Sequence, residues 1–465
     1  MNRDSGSSPR PSVGLPNSRA VPFAPDARMI TTIALLAIGL IYAEFVRHAL
    51  RYAFPPSDQT KGDFLAFYEA ARDLVRRGDI YIVRDRNYIY PPLVAFLYMP
   101  LTLLDNPENK HRAAGIVALF LSAGMSMATA WMLARAMCER LAAKAQRHAT
   151  WIAALVALGS VAIVGDKIRS ELRMWQTDAL MLFMMTIGVR WLDRRPCLAG
   201  LALGVAVNVK YLPIFFLPWL LVRRRFRAAL GMVLGILAGA FLPALWVGWS
   251  KNLEYLRTGF GGLLALVGIR IEGEHAVTED IAGGLSVSIT SVLARQLGGP
   301  EHAREAMLIA GAIALAVCGA IAFAYRRARL PLVLWPPAKQ QQTGLYPALI
   351  ALEVGALIIG LLVFSPQTNP RHLYLLLIPA SAAAAMIIAP AAARVRAIAV
   401  VGVALLIASL VLPPGGTQAL DAAVRFWREG GGPSYGMLAL LAAIVVAGTR
   451  SASALGAGER AGANA

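Results

Sequence analysis

Two carboxylates, Asp58 and Asp63, lie just beyond the first long apolar run of this chain, in a polar and aromatic stretch at residues 61–93 and its approach. A carboxylate there can orient a hydroxyl and take its proton. Three more polar clusters interrupt the apolar sequence. Residues 169–178 bring Arg173, Gln176 and Asp178; residues 208–213 bring Lys210; residues 365–372 end in Arg371 and His372. Gln176 and Asp178 suit hydrogen bonding to a polar ligand. Arg173, Arg371 and Lys210 suit an anion, and His372 can move a proton near neutral pH.

Each residue also has a plainer reading. Asp63 opens a helical pattern and fits an N-cap, and a capping carboxylate is a weaker base. Asp58 follows Pro55 and Pro56 and has no helix to cap, so it stands as the alternative base. Asp178 also sits near a helix start. Arg371 suits a turn at the lipid headgroups, and Lys210 can meet an acidic side chain as well as a lipid phosphate.

The elements that must hold these groups are membrane helices. Of 465 residues, 57% are hydrophobic and 15% charged, and the mean hydropathy is +0.57. Apolar runs of about 20 residues, bounded by Arg or Lys, are the signature of spanning helices. An open lipid-facing sheet would leave backbone groups unpaired. The expected fold is therefore an all-α polytopic membrane protein. The net charge of +18 does not indicate nucleic acid, because the arginines gather at the ends of apolar runs, where topology places them. The three cysteines show no disulfide framework or zinc spacing. No metal cage and no cofactor motif is visible.

Residues 1–28 are rich in Pro, Ser and Arg and read as a disordered cytoplasmic tail, as do residues 451–465. Between them, 29–450 reads as one membrane domain. With the N-terminus inside, the basic clusters fix about ten full spans and both termini in the cytoplasm. Residues 198–222 carry arginines at both ends and are broken by Lys210 and Pro213, so they are expected to form a short helical hairpin that enters and leaves on one side. An outer loop at 54–112 and a second at 250–305 complete the scheme. In the first, Phe64, Phe67, Tyr68, Ala71, Leu74 and Val75 form one helical stripe, with Asp73 among the residues facing away. Such a helix suits the membrane surface, and residues 93–104 suggest a second interfacial helix. Four polar segments, residues 58–90, 169–178, 250–305 and 365–372, then converge on the outer face.

The order of these features resembles glycosyltransferase family 87, within the C-type superfamily of polytopic glycosyltransferases. It runs as Asp-Phe after the first span, a helix with Ala70, Ala71 and Leu74, then Tyr90-Pro-Pro-Leu93. A Gln-bearing helix start, a Gly-x-x-x-Gly stretch before Lys210-x-x-Pro213, an arginine-rich stop and a late Ser-Pro…His follow. The resemblance covers residues from about 29 to about 390. It implies transfer of a hexose, often mannose, from a polyprenyl-phosphate donor to a lipid or glycan acceptor, with inversion, on the outer face of a bacterial plasma membrane. It implies Asp63 and His372 as catalytic residues and matches Lys210 to a basic residue before a proline; with Arg371 and Arg173, read above as anion binders, Lys210 is then expected beside the donor phosphate. Tyr90, Gln176, Asp178 and Ser286 then fall to substrate binding. The sequence departs from the family at Trp175-Gln-Thr-Asp178, at Gly284-Leu285-Ser286 and at Arg371-His372. The competing class is a secondary transporter or lipid flippase, against which stand the absent repeats and the single deep charge.

Overall fold

The computed structural model describes residues 26–53, 63–81, 88–104, 111–141, 149–266, 280–330, 345–389, 392–410 and 418–463. Asp58 and the tail at 1–25 lie outside the described residues. Every regular element among them is helical. The first six are α1 (Ala27–Ala53), α2 (Phe64–Arg77), α3 (Pro92–Tyr98), α4 (Arg112–Leu141), α5 (Thr150–Met174) and α6 (Asp178–Trp191). The central group is α7 (Pro196–Val207), α8 (Phe216–Val222), α9 (Phe226–Phe241), α10 (Ala244–Val247), α11 (Trp249–Leu266) and α12 (Ile289–Leu297). The last are α13 (Ala303–Arg327), α14 (Leu345–Phe364), α15 (Leu377–Ile388), α16 (Ala393–Leu410), α17 (Gln418–Glu429) and α18 (Gly432–Ala463).

Among the described residues, eight helices are long and apolar enough to cross a membrane, against about ten expected. The two expected spans outside that set are α6, with 14 residues, and α14, a helix of 20 residues that coincides with the expected span at 345–364. Helical backbone continues to Ala463, so the expected irregular tail at 451–465 is helical up to that residue. The expected outer loop at 250–305 contains two helices, α11 and α12.

The interrupted apolar stretch is two short helices that turn back on each other. Asp193, just before α7, accepts from Arg225, just after α8, at 2.6 Å, and from Arg140 of α4 at 3.2 Å. Both ends of the hairpin therefore lie together beside the end of α4. Its first arm packs backbone to backbone on α9. A β-carbon at Gly200 would come within 1.8 Å of the Ala228 carbonyl oxygen, and one at Gly204 within 2.3 Å of the Met232 carbonyl oxygen. Small residues permit this approach, as they do between helices in lipid. At the break, Asn208 donates to the carbonyls of Gly204 and Ile236, both at 3.1 Å. The second arm is tied by Arg223 and Trp219, which donate to Glu353 of α14 at 2.8 Å and 3.1 Å. Lys210, at the apex, is thus carried to the far end of α6 from Asp193, about 20 Å along that helix.

The amphipathic helix of the first loop is present, but its apolar stripe is covered by protein rather than by the lipid surface. Phe64 packs on Tyr98 and Trp175, and Phe67 on Tyr90 and Tyr98. Asp73 is buried with that face and Val75 is exposed, the reverse of the expected sides. Pro92, Leu93, Val94 and Ala95 are likewise buried, so the second expected interfacial helix begins inside the protein, while Leu97, Pro100, Leu103 and Leu104 further along it are exposed.

Candidate functional site

Asp63 is held by its backbone before its side chain acts. Its N–H donates to the carbonyl of Met174 at the end of α5, at 2.9 Å. Asp63 is the residue before α2, yet its side chain makes no capping hydrogen bond, so the expected capping role is not realised. The carboxylate instead meets two side chains from distant segments. Gln176 donates through Nε2, and Arg371 through Nη1 at 2.5 Å, both to Oδ2.

Gln176 reaches this position because α5 ends sharply. Trp175 adopts a left-handed backbone with φ of 55°, and its ring packs on Phe64 at 5.1 Å. The chain reverses there, and α6 starts at Asp178. Glu171 fixes the turn by accepting from the N–H of Ala179 at 3.0 Å. Glu171 is buried. In the sequence it reads as one more charge in a polar run, with no signal of this role. Tyr90 donates to Gln176 Oε1 at 3.3 Å. Burial, the dominant cause, pushes the Tyr90 phenol well above its ordinary range, so it stays protonated and acts as a donor.

Lys210 meets an acidic side chain. Its Nζ lies 2.7 Å from Asp178 Oδ1, 3.5 Å from Gln176 Oε1 and 5.5 Å from the centre of the Tyr90 ring. Asp178 is completely buried, and a buried charge without a partner is strongly unfavourable. The result is one chain of contacts, Arg371–Asp63–Gln176–Lys210–Asp178, with Tyr90 against its middle. It contains two cations, two carboxylates and one amide that bridges them.

Three expected site residues are placed differently. His372 Nδ1 accepts from the N–H of Asn369 at 3.3 Å. A neutral imidazole so engaged carries its proton on Nε2, which leaves that N–H as its available donor. Arg173 stacks its guanidinium over the Tyr52 ring at 4.9 Å, on the α1 side of Asp63. Ser286 is a fastener. Its Oγ accepts from the Thr368 N–H at 2.9 Å and from the Ser291 hydroxyl at 2.6 Å. It ties the segment before α12 to the turn that carries Arg371 and His372. No group of three or more His, Cys, Asp or Glu side chains is arranged to hold a metal among the described residues.

The sequence profile of glycosyltransferase family 87 matches residues 88–366, more than half of the chain. That range includes Tyr90, Gln176, Asp178, Lys210 and Ser286; Asp63, Arg371 and His372 lie outside it. Two curated relatives are similar over shorter stretches. The GPI mannosyltransferase 1 of Aspergillus fumigatus is 27% identical over 197 residues, 42% of this chain and 42% of the relative. The polyprenol-phosphate-mannose-dependent alpha-(1-2)-phosphatidylinositol mannoside mannosyltransferase of Mycobacterium tuberculosis is 27% identical over 168 residues, 36% of this chain and 39% of the relative. The chain thus spans about two-fifths of the curated relatives that it matches. No solved structure matches it.

Proposed function

The chain belongs to glycosyltransferase family 87, and from that premise we propose that it transfers a mannosyl residue from a polyprenyl-phosphate donor to a lipid or glycan acceptor, with inversion. The enzyme class follows from the family. The sugar, the donor, the acceptor and the C-type fold are the reading proposed here. Mannose and the lipid phosphate are supported by the names of the relatives, both of which are mannosyltransferases and one of which is polyprenol-phosphate-mannose-dependent.

The carrying observation is the Asp63 carboxylate with both donors on one oxygen. Oδ2 is occupied by Gln176 and Arg371, which leaves Oδ1 to accept from the acceptor hydroxyl. The acceptor oxygen attacks the anomeric carbon, its proton passes to Asp63, and the bond from that carbon to the donor phosphate oxygen breaks. The electron pair stays on the phosphate, which leaves as an anion and needs no acid. Arg371 and Lys210 stand on either side of Gln176 and stabilise that charge as it develops. Tyr90 and Asp178 hold Gln176 and Lys210 in register. His372, as a donor, binds a sugar or phosphate oxygen.

Nucleotide sugars are cytoplasmic, so a site on the outer face of a plasma membrane requires a donor that arrives in the membrane. That orientation, with both termini in the cytoplasm, is part of the proposal. Membranes containing the protein, supplied with polyprenyl-phosphate mannose and an acceptor lipid, test it. Transfer by wild type and its loss in Asp63→Asn is the expected result. Equal transfer by Asp63→Asn would overturn the assignment of the base. Uptake of the donor without transfer would favour the transporter.

A further inference from the structure

A groove of about 340 Å³ runs between α1 and α5. Phe45 of α1 and Val161, Ala162 and Gly165 of α5 line its apolar part, and Asp166 and Arg169 stand at one end. Ala162 is exposed, so the groove opens outward to the bilayer rather than into the core. Val164, buried between the lining residues Ala162 and Gly165, leaves helical geometry, with φ of −114° and ψ of 15°. At Gly165 an added β-carbon would rest in ordinary contact with the Phe45 ring, at 3.5 Å, so the glycine forms the floor of the groove against that ring.

The groove points at the site. Gly165, Arg169 and Arg173 follow one another at intervals of one helical turn on the same face of α5. Arg173 rests over Tyr52 of α1, so the α1–α5 seam continues to that level. Met174 comes next, and its carbonyl accepts the Asp63 N–H. From Gly165 to Arg173 is about 12 Å. Asp166 holds Arg169 at 2.6 Å, so an anion meets a half-neutralised cation at the rim and an arginine stacked on an aromatic ring one turn further in.

We infer that this seam is the docking groove of the donor lipid, with the first isoprene units in the apolar part and the phosphate guided past Arg169 and Arg173 to Arg371. The inference rests on the function proposed above and adds the path of the lipid chain. An ordinary phospholipid shares the chemistry of a phosphate on an apolar tail. The seam leads to the catalytic carboxylate, however, and only a lipid phosphate that carries the sugar has to be delivered there.

The test uses the purified full chain in phosphatidylcholine nanodiscs with a polyprenyl phosphate that carries a diazirine in its isoprenoid chain. After illumination, adducts are mapped by peptide mass spectrometry. The expected adducts fall on residues 41–45 and 161–165. Ala162→Trp and Gly165→Leu reduce them at least fivefold, and Leu121→Trp, on the exposed face of α4, does not. Unlabelled polyprenyl phosphate competes, and the same excess of phosphatidylglycerol does not. Adducts spread evenly over outward-facing helices, or equal competition by phosphatidylglycerol, would overturn the groove; the wild-type map decides this even if a variant fails to fold. A second readout compares long-chain with two-isoprene donors: Ala162→Trp lowers the preference for the long chain at least tenfold. Label in the groove without sugar transfer by wild type refutes the function and not the groove. Transfer whose chain-length preference ignores Ala162→Trp refutes the groove alone.

Discussion

Arg371 and Asp63 are joined at 2.5 Å between Nη1 and Oδ2, although 308 residues separate them in the chain. The pair closes the site, because one partner comes from the first loop and the other from the turn before α15. Asp63→Asn keeps the size of the side chain and removes the proton acceptor. Transfer should fall by about 10²- to 10⁴-fold, the usual share of general base catalysis, with the melting profile in detergent close to wild type. Activity within threefold of wild type would show that Asp63 is not the base.

Lys210 and Asp178 make the buried ion pair of the site. Removing one partner leaves the other charged and desolvated, at a cost of about 3–5 kcal/mol. Asp178→Leu and Lys210→Met should each lower the melting temperature sharply. The double variant should recover most of that stability and none of the activity, since the Lys210 charge proposed to stabilise the leaving phosphate is gone. Recovery of activity in the double variant would leave the pair with structure as its only role.

Tyr90→Phe removes one neutral hydrogen bond, that to Gln176. Such a bond is worth about 1 kcal/mol, so kcat/KM should drop by about fivefold. Because burial keeps the phenol protonated far above neutral pH, the alkaline limb of the pH–rate profile should be the same in wild type and Tyr90→Phe. A shift of that limb in the variant would mean that Tyr90 titrates during turnover.

His372→Gln tests the assignment of His372 as a donor. Its Nδ1 already accepts from Asn369, so the acid limb of the profile should keep its shape while the rate falls about tenfold, in line with the loss of one to two hydrogen bonds. Disappearance of the acid limb would return His372 to the role of base.

Gly204→Val places bulk where a β-carbon would stand 2.3 Å from the Met232 carbonyl oxygen. It should force α7 away from α9 and lower both folded yield and activity. Gly124→Val on α4, where an added β-carbon meets nothing within 4 Å, is the matched control and should behave as wild type. Equal yields for the two would mean that the close α7–α9 approach does not govern folding.

Much of this arrangement was legible in the sequence, and the limits have physical causes. The hairpin could be read because arginines flank residues 198–222 and Lys210 with Pro213 breaks them, and these signals are local. Asp63 could be read because a carboxylate after an apolar run is conspicuous. The stripe on α2 was visible, but periodicity gives the apolar face and not what covers it; here Tyr90, Tyr98 and Trp175 do so. The partner of Lys210 was beyond reach for a similar reason. Lys210 meets Asp178 through the fold of α6 against the hairpin, and no spacing rule links them. Glu353 shows the same limit: it sits alone in an apolar run, and only the packed structure brings Arg223, Trp219 and Tyr325 to it.

The tether of Asp63 to the end of α5 is made of main chain on both sides, an N–H and a carbonyl. Replacement of the Met174 side chain leaves both groups in place, so the location of the reactive oxygen is insulated from drift at that position. Chain length is another matter. One residue added between Gly165 and Met174 would turn the final carbonyl by about 100° around the helix and carry it off the Asp63 N–H. The site should therefore tolerate many substitutions along this helix and almost no insertion or deletion. A scan comparing the two kinds of change over residues 165–174 would show that asymmetry.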